Sequence, residues 1–215
     1  MENTEFIREI IELYQEARKS RFSDKKIKRG RSRTISSLIE DLFAAYLSEK
    51  IDCDEILVDS PIKVDGFKNM FYPDIAVVKK GKIVCTFDLK MDMGYVRDLM
   101  IPLYNKASEN VKKFRGKACH SNVMKDNLIE KEEKAYAFSK KLKHFFVVIS
   151  GRNISDKKKK AILNNRGKCN LNVQIFALTD KIHPNEYGYT VDALMKEIEI
   201  NNENFTNILN QVNNL

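Results

Sequence analysis

The run Phe145-Phe146-Val147-Val148-Ile149 constrains the fold more than any other feature of the chain. It is far too short to span a bilayer, which takes roughly 20 apolar residues, yet it has no polar face to offer water. Such a run reads as a strand buried on both faces, from His144 to Ser150, at the centre of a sheet with helices packed above and below it. The remaining residues must supply flanking strands and amphipathic helices. With 43% hydrophobic and 32% charged residues over 215 positions, the chain can build both a core and a solvated surface, and disordered, collagenous or fibrous classes are excluded.

Periodicity supplies those elements. Phe6, Ile7, Ile10, Leu13, Tyr14 and Ala17 recur at helical spacing over about 4 to 19. A second helix begins near Thr34 or Ser36, with Ile35, Leu38, Ile39, Leu42, Phe43, Tyr46 and Leu47 as its core stripe. Strands are expected at Glu55 to Val64, Tyr72 to Val78 and Ile83 to Lys90, the last two joined as a hairpin through Lys79-Lys80-Gly81-Lys82. A helix over about 98 to 114 follows, with Pro102 tolerated in its first turn. The polar segment 115 to 140 is expected to be helical in part, around Lys134 to Lys143. A short helix near 156 to 165, a strand from about Leu171 to Ala177 and a helical region from Val191 complete an α/β pattern, a mixed sheet with helices on both sides in one domain spanning 1–215.

The formal charge of +8 is concentrated. Between Arg18 and Arg33 stand nine basic residues and one acid, Asp24, so this segment accounts for the whole excess. A patch of this kind attracts a polyanion such as nucleic acid; its structural reading is a solvated lysine-rich loop. Cys53, Cys85, Cys119 and Cys169 form no Cys-x-x-Cys pair and read as reduced and structural, and His120, His144 and His183 have no metal-like spacing. The N-terminal residues lack the basic start and apolar core of a secretion signal, which points to the cytoplasm.

Chemistry is concentrated on the hairpin. Asp/Glu-x-Lys triplets begin at Asp24, Asp88, Glu132 and Asp156, but only Asp88-Leu89-Lys90 lies within an apolar strand. Thr86, Asp88 and Lys90 share one face of that strand, and charges in such a place need a partner or a metal. Pro73-Asp74 opens the neighbouring strand. Two carboxylates brought together across a hairpin offer the hard oxygen ligands that Mg²⁺ takes, and a nearby lysine steadies an attacking water or the charge growing on a phosphate. The register decides whether they meet. A two-residue turn at Lys80-Gly81 would send Asp74 and Asp88 to opposite faces. An odd-numbered loop, Lys79-Lys80-Gly81 with Gly81 left-handed, would set Asp74 opposite Thr86 and diagonal to Asp88, and is therefore expected. On the helix before it, Glu40 lies at the margin of the buried stripe and Asp41 on the polar side, and either is placed to reach the site.

Pro73-Asp74, a gap of thirteen residues, then Asp88-x-Lys90, with Glu40 on an upstream helix, resembles the PD-(D/E)xK nuclease superfamily in the branch of the type II restriction endonucleases. The resemblance covers about residues 36 to 92. It implies a restriction-endonuclease-like three-layer fold with the motif on a central hairpin. It also implies that Asp74 and Asp88 bind Mg²⁺, that Lys90 helps activate water and that Glu40 is an additional metal ligand. The implied activity is sequence-specific hydrolysis of double-stranded DNA to a 5′-phosphate and a 3′-hydroxyl, by a homodimer matched to a palindromic site, with a cognate methyltransferase encoded nearby. Junction-resolving or repair nucleases use the same motif. A third reading makes the chain a non-catalytic DNA-binding module, with Asp74 opening a strand and Asp88 and Lys90 as a structural ion pair.

Contacts to DNA are expected from Lys25, Lys26, Lys28, Arg29, Arg31 and Arg33, which grip phosphates. Arg152 and Asn153, and Asn164, Asn165 and Arg166, carry donors suited to base edges.

Overall fold

The computed structural model describes residues 1–22, 26–94, 98–125, 129–164 and 172–215. Among them the order of elements is α1 (Asn3–Arg18), α2 (Ser36–Lys50), β1 (Glu55–Val58), β2 (Ile62–Val64), β3 (Ile75–Lys79), β4 (Lys82–Asp92), α3 (Met100–Phe114), β5 (Ala118–Met124), β6 (Lys131–Ser150), α4 (Asp156–Asn164), β7 (Val173–Asp180), α5 (Val191–Glu197), β8 (Glu199–Ile200) and α6 (Asn202–Asn213). The strands form one mixed sheet in which β1, β3, β4, β6, β5 and β2 are successive neighbours, with β7 also paired to β6 and β8 to β7. β4, β6 and β7 run parallel, and β1, β3 and β4 form an antiparallel set.

The apolar run sits where its composition demands. Phe145, Val147 and Ile149 enter a core shared with α1, α2, α5 and α6, whereas Phe146 and Val148 enter a second core under α3 and Ile162 of α4. Helices therefore cover both faces of the sheet, and the α/β expectation holds at that level. Among the described residues no helix is long and apolar enough to cross a membrane. Cys53, Cys85 and Cys119 are free thiols, and Cys169 lies outside the described residues.

Several local expectations are corrected. Residues 131 to 150 are one strand, so no helix forms around Lys134 to Lys143. Tyr136 and Phe138 are buried two residues apart while Ala135, Ala137 and Ser139, on the opposite face, are not, a period of two that pairing with β5 reinforces. The strand expected from Glu55 to Val64 breaks at Asp59-Ser60-Pro61, where Asp59 has φ 43° and Pro61 has no N–H for a ladder. Its second half, β2, pairs with β5 rather than β3. Leu38, assigned to the α2 stripe, is 48% exposed. Ile35, not Thr34 or Ser36, is the N-cap of α2, without a capping side chain.

Candidate active site

The hairpin β3–β4 places the site. Lys80 and Gly81 both have left-handed φ, 51° and 66°, and Lys79 pairs with Lys82, so the turn has two residues rather than the odd number expected. The side chains are nevertheless brought to one face. Val78 pairs with Ile83 but Val77 with Cys85, leaving Val84 as an extra residue on β4. This bulge restores the parity that the turn alone would lose. Ile75 pairs with Phe87, and the next position sets Asp74 across from Asp88, not from Thr86.

The two carboxylates are tied into the backbone. Leu89 N–H donates to Asp74 Oδ2 at 2.5 Å, the Asp74 N–H donates to the Asp88 carboxylate, and Asp59 N–H donates to the Asp74 carbonyl at 2.8 Å. Lys90 Nζ lies between them, 3.6 Å from Asp74 Oδ2 and 3.9 Å from Asp88 Oδ2. All three side chains are 22–27% exposed, sheltered yet open to a solute. Burial pushes both carboxyls above the ordinary aspartate range and Lys90 opposes this; at Asp74 the Asp88 charge adds to the rise, and at Asp88 the Lys106 charge subtracts from it.

Glu40 belongs to the same field. Burial, then the charges of Asp74 and Asp59, raise its carboxyl, and Lys90 pulls it back, whereas Asp41 is exposed. Glu40 is thus the acid of α2 that faces the hairpin. Asp59, which follows β1 in a left-handed turn, is a fourth carboxylate of this neighbourhood that the sequence reading missed. Its signal was the Asp-Ser-Pro break in an otherwise apolar run.

A second missed group lies beneath the pair. His144 opens the parallel stretch of β6, pairs with Thr86 and has its Nδ1 2.8 Å from Thr86 Oγ1. Its Nε2 is buried without a hydrogen-bond partner and lies 4.0 Å from Asp88 Oδ2. Burial, with a smaller contribution from the Lys90 charge, drops its pKa to about 3, so the ring is neutral at ordinary pH.

The donor chemistry fits a hard divalent cation. Asp74, Asp88 and Glu40 share one nearby lysine, and the raised proton affinity of these three expresses a shortage of positive charge that such an ion relieves. Among the described residues no three His, Cys, Asp or Glu side chains already stand close enough to hold a metal ion. Asp74 and Asp88 are the carboxylates that could hold such an ion, and Glu40 is electrostatically coupled to Asp74.

The basic segment is partly structural. Arg18 donates to the Asn185 and Glu186 carbonyls at 2.8 and 2.9 Å and lies 4.2 Å over the Tyr187 ring. Arg33 is half-buried, bonded through its N–H to the Ala17 carbonyl. Lys26, Lys28, Arg29 and Arg31 are exposed; Lys25 lies outside the described residues. Arg152 is exposed after β6, but Asn153 donates to Asp92 Oδ2 at 3.2 Å and is committed there. The Asn164 side chain, Asn165 and Arg166 lie outside the described residues.

Comparison of the chain with protein-family models, with curated proteins and with solved structures finds no match in any of the three.

Proposed function

We propose that this protein is a Mg²⁺-dependent endodeoxyribonuclease that hydrolyses phosphodiester bonds, of the type II restriction kind, on a restriction-endonuclease-like fold. The observation that carries the reading is the opposition of Asp74 and Asp88 across the β3–β4 hairpin with Lys90 between them. The exposed cations Lys26, Lys28, Arg29 and Arg31, just ahead of the helix that bears Glu40, support a polyanionic substrate.

Asp74 and Asp88, with Glu40, would hold the ion. When bound, it supplies positive charge to the phosphate and makes water more acidic. Lys90 is placed to donate a hydrogen bond to the attacking water or to a non-bridging phosphate oxygen, where negative charge grows. The buried amide of Leu89 fixes Asp74, and the amide of Asp74 fixes Asp88, so the pair is oriented before substrate arrives. The expected products are a 5′-phosphate and a 3′-hydroxyl. The expected assembly is a homodimer in the cytoplasm with a partner methyltransferase protecting the host sites.

Digestion of unmethylated phage DNA with purified protein tests the reading, with and without Mg²⁺ and beside Asp88→Ala and Lys90→Ala. Discrete fragments that require Mg²⁺ and vanish in both variants are expected. Intact DNA with every preparation would overturn it.

A further inference from the structure

A cleft of about 490 Å³ opens beside Asp88, on the side of the sheet away from α1 and α2. Its floor is formed by Thr86, His144 and Phe146, none more than 2% exposed. One wall is α3 and the other is the loop 67–72. Three of its lining residues, Lys68, Lys106 and Lys113, are exposed lysines, and Asp88 is the one acid among the described residues that line it. Tyr72, at the rim, is 63% exposed, and the half-buried Asn110 presents an amide.

This combination selects its occupant. Three cations favour phosphate, exposed aromatic surface favours a stacked base, and an amide favours a hydrogen-bonding edge. A volume of this size suits one small molecule. A base pair within a duplex does not enter it, so a base that does has left the stack. Because Asp88 lines both the cleft and the hairpin site, an occupant of the cleft lies next to the bond that the carboxylates address.

We propose that this cleft receives one unstacked nucleotide of the strand being cut, with its phosphates on Lys68, Lys106 and Lys113 and its base against Tyr72 and Asn110. The inference rests on the phosphodiesterase reading and adds that a nucleotide beside the scissile bond leaves the stack during cutting, which costs least, and so goes fastest, where that nucleotide is already unpaired.

Two measurements on the full chain test it. The first is calorimetric titration with thymidine 3′,5′-bisphosphate in EDTA, which reads the cleft without catalysis. Binding is expected, weakened at least tenfold by Asn110→Trp, which fills the cleft, and by Lys113→Gln, which removes an exposed charge whose ion pair with Glu109 is itself exposed and so of little weight for the fold. Lys141→Glu, an exposed charge change elsewhere, should leave it unaltered. The second compares Mg²⁺-dependent cleavage of two duplexes that differ by a single unpaired nucleotide. The one with the unpaired nucleotide should be cut at least ten times faster, and Asn110→Trp should erase the preference. No bisphosphate binding, binding indifferent to both cleft variants, or equal cutting of the two duplexes would overturn the proposal while leaving the nuclease reading intact. Bisphosphate binding with the expected variant pattern but no cutting of either duplex would support the cleft as a nucleotide site and remove the nuclease reading.

Discussion

Phe87 and Asp88 are neighbours on β4 and face opposite sides of the sheet. Phe87 is fully buried, its ring 5.5 Å from that of Phe43 and 5.1 Å from that of Phe145, in a core to which α1, α2, α5 and α6 all contribute. Asp88 shares its side with Thr86, Lys90 and His144, whose Nε2 has no hydrogen-bond partner, next to a cleft rather than under a helix. The first side gains stability from closely packed apolar surface. The second holds carboxylates at raised proton affinity and a buried imidazole with an unused nitrogen, arrangements that cost stability. One strand thus anchors the fold through one face and presents chemistry through the other, and the two functions are separable by mutation.

The largest separation is expected in turnover. Asp88→Asn and Lys90→Met should each lower Mg²⁺-dependent DNA cleavage by at least about 10³-fold, roughly 4 kcal/mol of barrier, while circular dichroism and urea unfolding show a folded protein. Phe87→Ala should do the reverse, losing about 3–5 kcal/mol of stability in urea unfolding while keeping its cleavage rate per folded molecule at low temperature.

The pH dependence of stability separates the groups on the polar side. His144 is neutral when folded, with a pKa near 3, but protonates near its ordinary value when unfolded. Its contribution is intact above about pH 6.5 and is lost as pH falls below it, with a slope approaching about 1.4 kcal/mol per pH unit. His144→Gln should flatten that acid limb in urea titrations at successive pH values. The carboxyls act with the opposite sign. Asp74 and Asp88 hold their protons more tightly folded than unfolded, so stability falls as pH rises from about 4 through their raised pKa values. Asp88→Asn removes one such group and should raise the metal-free melting temperature at pH 7. A lowered melting temperature would mean that Lys90 depends on Asp88 more than Asp88 suffers from burial.

The smallest effect concerns the basic segment. Lys28→Glu and Arg31→Glu should weaken DNA binding for all sequences alike, each reducing the slope of log K against log salt by about 1. Loss of discrimination between sequences instead would make these residues base readers.

Much of this was legible in the chain. The two faces of His144 to Ser150, the helices α1, α2 and α3, and the meeting of Asp74, Asp88 and Lys90 follow from periodicity and from the oddity of charge in an apolar strand. The means by which the carboxylates meet did not. Ile83, Val84 and Cys85 are all apolar and buried, so nothing in their composition marks Val84 as the bulged residue, and the parity was assigned to the turn. Residues 131 to 143 were misread because Lys and Glu dominate an exposed strand end, where only Tyr136 and Phe138 betray a period of two. His144 and Asp59 were missed because their neighbours are set by pairing across the sheet and by a turn, neither of which sequence spacing encodes.

The most direct test of this division places Phe87→Leu and Asp88→Asn side by side in a Mg²⁺-dependent plasmid cleavage assay at low temperature. The account predicts that Phe87→Leu, though less stable, cuts at close to the wild-type rate and that Asp88→Asn, though well folded, does not cut. Cleavage by Asp88→Asn at the wild-type rate would contradict it and put the chemistry elsewhere in the molecule.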